Sequence, residues 1–355
     1  MLRDAIANKR CIMVCGGGGV GKTTIAASIA ISAAKTRKRV LVVTIDPAKR
    51  LLEAFGFANA FLQEGGEPLA LSPEIKSEFG LGPEANLSIA VLNPKYVLNQ
   101  ILEQALTPEQ GEKLKRTVLF SEISQMIYGL QEYTAYEWVT RMIQNNEFDL
   151  IVLDTPPAVH AKDFFGAPDK IKRLMESRVF QIFLPKKTWF GSISFAWMEK
   201  LLGHTVFGES KIFFEVFTTL RARILERCDL LAKFFKNEEV AVIAVSTLES
   251  SAQVELDGLM SFLLSRQISV GTVILNQVEP LKSKPAPVAQ AALLPESLQE
   301  KILKLRHYQM SRMDEAKKRL AATQARYPKV ELIPVSMNYS QNGFEILKVN
   351  AEQLR

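Results

Sequence analysis

Short, continuous apolar runs punctuate the chain at Cys11–Val14, Val40–Ile45, Leu150–Leu153, Val240–Ser246, Thr272–Leu275 and Glu331–Val335. They are rich in β-branched residues and show little apolar–polar alternation. That pattern predicts strands of a parallel sheet buried on both faces. Between them the apolar residues recur at helical spacing, over Thr23–Lys35, Gln253–Arg266 and Glu296–Gln324. In the last of these, Leu298, Ile302, Leu305, Met313, Ala316 and Leu320 share a face. Strands alternating with helices predict a doubly wound α/β fold with a mostly parallel sheet. Two stretches interrupt the alternation, from about 95 to 145 and from about 169 to 236. Both read as helices and predict a helical subdomain on one edge of the sheet, within a single domain spanning residues 1–355. Leu281–Pro295, rich in Ala and Pro, reads as a loop. Phe57–Leu87 carries no assignable pattern, and no internal repeat is visible.

The first predicted strand runs into Gly16-Gly17-Gly18-Gly19-Val20-Gly21-Lys22-Thr23-Thr24. This fits GxxxxGK[ST], in the strand–loop–helix context that a phosphate-binding loop requires. Glycines let backbone N–H groups curl around phosphate oxygens. Lys22 would reach the β- and γ-phosphates, and the Thr23 hydroxyl would bind magnesium. The helix starting near Lys22 adds its dipole. Gly16, Gly18 and Gly21 also fit the dinucleotide fingerprint, with Asp46 where a ribose-binding acid would sit. Lys22-Thr23 decides between the two, because a dinucleotide site has no use for that lysine. ATP with Mg2+ is therefore the expected ligand, and a dinucleotide-dependent oxidoreductase is the remote alternative.

Two aspartates end predicted strands. Asp154 follows Phe148–Leu153 and Asp46 follows Val40–Ile45. In an open parallel sheet the carboxyl ends of strands face the ligand crevice. Asp154 suits a water-mediated hold on magnesium, and Asp46 is free to orient or deprotonate the attacking water.

Composition narrows the class. The 355 residues are 47% apolar, enough for a sizeable core, and 44 Lys plus Arg against 38 Asp plus Glu leave a net charge of +6. The basic residues are scattered, which reads as a solvated surface and not as a nucleic-acid site. Cys11, Cys15 and Cys228 are too few and too odd for a disulfide framework. His160, His204 and His307 are far apart, and no zinc pattern exists. No secretion signal or membrane span is visible, since Ile25–Ala34 and Val240–Val245 fall short of about 20 apolar residues. The expectation is a soluble, cytoplasmic protein able to meet the inner face of a membrane peripherally.

Taken together, the loop, Thr44-Ile45-Asp46-Pro47-Ala48 and Leu153-Asp154-Thr155-Pro156-Pro157 with His160 resemble the arsenite-pump-driving ATPases and their relatives that target tail-anchored membrane proteins. Gln131–Ala135 and Ala161–Pro168 resemble a bacterial branch of that family. The likeness covers most of the chain, thinning over Phe57–Leu87 and Leu281–Pro295. It implies an ATPase whose dimer opens and closes with nucleotide. It implies that the segment around Asp46 is a first switch supporting hydrolysis, and that Asp154 to about Pro168 is a second. It further implies that Asn276 reads adenine and that Glu249 contacts nucleotide across the dimer.

The sequence departs from that family in two places. A signature lysine usually follows the first glycine of the loop and crosses to the partner's phosphates, whereas this chain has Gly17. A substitute would come from Lys49, Arg50 or Lys162, or from a paralogous ATPase in a heterodimer. A homodimer is the simpler assembly. A non-hydrolysing regulatory subunit is the alternative that Gly17 raises. The relatives' interfacial zinc site is also missing, since no cysteine follows Cys228, and zinc is not expected. Arsenite needs clustered thiolates, so arsenite activation is not expected either. Finally, 8 of the 20 Phe and 2 of the 3 Trp lie between Val179 and Phe217, with Trp189, Phe190, Phe195, Trp197 and Met198 densest. This stretch reads either as the core of the helical layer or as an apolar surface for a protein client or a membrane.

Overall fold

The computed structural model describes residues 1–36, 39–45, 50–57, 67–116, 130–157, 161–177, 220–280, 295–338, 340 and 342–354. Eight strands form one sheet in the order β3-β4-β2-β5-β1-β6-β7-β8. They are β1 (Cys11–Gly16), β2 (Arg39–Thr44), β3 (Leu69–Ala70), β4 (Asn86–Val91), β5 (Leu150–Asp154), β6 (Val240–Ser246), β7 (Val270–Val278) and β8 (Glu331–Ser336). Every pairing is parallel except the short edge strand β3, which runs antiparallel to β4. The doubly wound α/β expectation holds, and all six strands read from the sequence are present. β3 and β4 fall within or against the stretch that carried no assignable pattern.

Burial on both faces explains the unbroken apolar runs. In β1, Cys11, Met13 and Cys15 join one core, while Ile12 and Val14 join the other. β5 divides the same way, with Ile151 and Leu153 against Leu150 and Val152. Alternate residues of a strand face opposite sides, so each apolar run serves two cores at once.

On one side of the sheet lie α1 (Leu2–Asn8), α2 (Lys22–Ala34), α3 (Arg50–Ala54) and α12 (Gly343–Gln353). α2 is buried almost all round, from Ile25 to Ala34, because the sheet covers one flank and α12 packs on another. Ala and Ser on α2 let these neighbours come close, and each fully buried Ile contributes about 1.5–3 kcal/mol. The position of Thr23 is therefore set by a rigid, enclosed helix.

The other side carries α5 (Pro94–Ala105), α6 (Pro108–Lys115), α7 (Leu130–Gln144), α8 (Ala161–Glu176), a helix over 220–234 (α9) and α10 (Ser250–Ser265). Tyr136, Phe164, Phe165 and Phe235 stack edge-on and tilted at its centre. α4 (Pro73–Glu78) lies between β3 and β4 in the chain, and the long α11 (Glu296–Arg326) precedes β8. α11 runs two residues beyond the sequence reading. The aromatic stretch 179–217 and most of the Leu281–Pro295 loop lie outside the described residues. Among the described residues no helix is long and apolar enough to cross a membrane.

Candidate functional site

Strands β1, β5 and β2 end side by side. The register pairs Val14 with Asp154, and Thr44 with Asp154. Residues paired across parallel strands share a face, so Thr44 and Asp154 both turn towards α2. Thr23, in the first turn of α2, meets them there. Its Oγ1 donates to Asp154 Oδ2 at 2.7 Å, and Thr44 Oγ1 donates to the same oxygen at 3.0 Å. Asp154 is 2% exposed. A carboxylate buried so deeply is tolerated only where donors converge on it. Thr155 anchors the strand end, donating through Oγ1 to Val14 O at 2.9 Å.

The loop itself joins β1 to α2. Gly21 caps the helix at φ 87°, in the left-handed region that favours glycine. A Cβ on Gly21 would stand 2.3 Å from Asn276 Nδ2, so conformation and space both demand glycine. Gly16 ends β1 against Val245, whose carbonyl oxygen would lie 2.1 Å from an added Cβ. Gly18 and Gly19 are exposed at the crest. Lys22 is buried, and its Nζ donates back to Gly17 O at 2.6 Å, which holds the ammonium over the loop. Val20 packs into the core below, and Thr24 supports the helix by accepting from Ser28 Oγ.

Asn276 comes to the loop from β7. It lies on the same side as Ile274, is buried, and donates from Nδ2 to Val20 O at 2.9 Å. Directly after it, Gln277 has φ 58° and the β7–β8 register slips between Leu275 and Val278. A non-glycine residue in this region costs about 1–2 kcal/mol, and such bulges re-aim side chains at strand ends.

Glu249 makes no hydrogen bond to the loop among the described residues. It is the exposed residue before α10 and makes no side-chain hydrogen bond among the described residues. Its own turn is held from α11. Arg319 Nη1 donates to Leu248 O at 2.8 Å, Gln253 Nε2 to Thr247 O at 2.7 Å, and Thr323 Oγ1 to Gln253 Oε1 at 3.1 Å. Asp46, Lys49 and His160 lie outside the described residues, as do the side chains of Arg50 and Lys162.

Sequence reading missed three residues here. Thr44 was visible in principle, because strand parity puts it level with Asp154. Thr155 stood inside a quoted motif without a role. Glu255, on α10, reaches the loop only in three dimensions; its Oε2 accepts from Gly18 N at 3.3 Å.

The cysteines take no part. Cys11, Cys15 and Cys228 are buried, and burial pushes the Cys15 and Cys228 thiols up to about 12 and Cys11 higher still. They stay protonated at ordinary pH and offer no thiolate. Among the described residues no three His, Cys, Asp or Glu are grouped to hold a metal ion.

A family model described as an anion-transporting ATPase matches residues 9–326 of this chain. The chain belongs to the anion-transporting ATPase family. Relatives agree with that assignment. The "ATPase get3" of Schizosaccharomyces pombe is 27% identical over 270 residues, covering 75% of this chain and 73% of the relative. The "ATPase get3" of Schizosaccharomyces japonicus is 27% identical over 268 residues, covering 75% and 74%. An "ATPase ASNA1 homolog" of Entamoeba dispar is 26% identical over 283 residues, covering 76% of each. This anion-transporting ATPase relative is thus an enzyme that binds and hydrolyses ATP, and the oxidoreductase reading of its glycines is not favoured.

Proposed function

We propose that ATP is hydrolysed where β1, β2 and β5 end, with the phosphates in the Gly16–Thr24 loop. The convergence of Thr23 and Thr44 on buried Asp154, at the foot of that loop, carries the reading. These donors are all hard oxygens, a set that suits magnesium. Thr23 would hold Mg2+ directly and Asp154 through water; the ion would supply charge neutralisation at the β- and γ-phosphates. Lys22 adds a buried positive charge on the other side of the phosphates. Asp46 orients or deprotonates the attacking water. Glu249 touches nucleotide only across a dimer, in keeping with its exposed side chain, which makes no hydrogen bond to its own loop among the described residues.

Asn276 reads the adenine base. Val20 O requires a donor, so the Asn276 amide nitrogen is committed to the loop and its carbonyl oxygen is turned the other way. A carbonyl accepts from the adenine amino group and is repelled by the guanine oxygen. ATP is therefore expected to bind roughly fivefold to tenfold more tightly than GTP, the scale of one hydrogen bond. Equal competition by GTP would remove Asn276 from this role.

The cycle works in a dimer, as a cytoplasmic protein meeting a protein client or a membrane surface. The stretches 95–145 and 169–236, which the sequence reads as a helical subdomain, are the part that moves, with 179–217 supplying the apolar contact. Gly17 favours a heterodimer in which a paralogous ATPase contributes the missing lysine. The experiment is ATP turnover by wild type and Gly17→Lys, each alone and with a candidate paralogue. Wild type is expected to gain at least tenfold from the partner, and Gly17→Lys to gain without it, as a trans-acting cation does in phosphoryl transfer. Full turnover by wild type alone, unmoved by partner or substitution, would end the missing-lysine argument.

A further inference from the structure

The loop is flanked by two acids, one on each side. β1 lies between β5 and β6 in the sheet. Asp154 approaches from the β5 side, where Thr23 and Thr44 donate to it. Glu255 approaches from the β6 side, on α10, and is exposed. Its Oε2 accepts from the Gly18 N–H at 3.3 Å, and a Cβ on Gly17 would stand 2.3 Å from that same oxygen. Among the described residues the Glu255 carboxylate has no ion-pair partner. Glu255 thus fills the space that a side chain at position 17 would enter, and it does so as an anion on an anion-binding loop. Backbone N–H groups of such loops are the donors that phosphate oxygens use.

We propose that Glu255 sets nucleotide affinity and triphosphate preference by competing with the terminal phosphate for the crest of the loop. This rests on reading Gly16–Thr24 as the phosphate site. A carboxylate and a phosphate oxygen cannot share the Gly18 N–H, and their like charges repel. Either Glu255 swings away when ATP enters, or ATP binds against its field. Both routes weaken binding, and more for ATP than for ADP, because the third phosphate adds charge at the crest. Two unit charges about 4 Å apart in a wetted setting change a binding constant roughly fivefold.

The test is calorimetry of ATP and ADP, each with magnesium, on wild type, Glu255→Gln, Glu255→Ala and Lys22→Ala, at low and high salt. Both Glu255 variants are expected to bind ATP about fivefold more tightly, ADP with a smaller gain, and both gains to shrink at high salt. Unchanged or weaker ATP affinity in the two Glu255 variants would overturn the proposal. So would a gain equal for ATP and ADP and insensitive to salt. Lys22→Ala separates the two failures. If it binds ATP like wild type, the phosphate-loop reading is wrong. If it loses binding while the Glu255 variants gain nothing, only the role of Glu255 is wrong.

Discussion

Lys22→Ala is expected to abolish tight ATP binding, weakening it by at least about 10²-fold, or roughly 2.7 kcal/mol. Lys22 opens α2 and is 8% exposed, with its ammonium held over the loop by Gly17 O. A charge kept this far from water is costly, and the fold keeps it because α2 is enclosed by the sheet and α12. Under the proposed site, ATP would repay that cost by presenting oxygens to the ammonium in a site of low effective dielectric, where charge-assisted hydrogen bonds are strong. Alanine removes the charge without disturbing the helix, because Ala is the best helix former. Thermal unfolding of the variant should match wild type, while calorimetry with ATP should show no tight binding. Unchanged affinity would remove the phosphate-loop assignment altogether.

Asp46→Asn is expected to act differently, keeping ATP affinity and slowing turnover by roughly 10² or more, the scale of a lost general base. Asp46 directly follows Ile45, at the end of β2, whose Thr44 already touches Asp154. β2 pairs with β5 in register, so its chain emerges beside the foot of the loop. An amide of the same shape can orient water but cannot take its proton. Single-turnover phosphate release, measured at saturating ATP, isolates that step from binding. A normal rate in Asp46→Asn would remove Asp46 from the hydrolytic role.

How much of this was legible in the sequence follows from where each contact lies. The loop, β1 and α2 are continuous in the chain, so Gly16 to Thr24 announced themselves by composition and order. Asp154 was legible for a related reason, since an acid ending an apolar run in a parallel sheet points to one crevice. Strand β4 was not. Asn86–Val91 does alternate, with Leu87, Ile89 and Val91 set between Asn86, Ser88 and Ala90, but it is only six residues long and abuts the stretch without a pattern, while β3 has only two residues and gives no period. Tertiary pairing made them strands.

The side chains that reach the loop from elsewhere were harder still. Asn276 was named by resemblance as a base reader, but its bond to Val20 O needed the fold. Glu255 sits in an ordinary amphipathic stretch of α10, and nothing local marks it. Its meeting with Gly17 and Gly18 depends on β6 lying next to β1, a fact of sheet order and not of spacing.

The measurement closest to the central claim is phosphate release from ATP by the purified chain, alone and with a candidate paralogue. It is run with magnesium present and with magnesium chelated. Hydrolysis built on Thr23, Thr44 and Asp154 predicts release that stops on chelation and returns when magnesium is restored. Release that continues at the same rate without magnesium, or no release in either assembly, would contradict it.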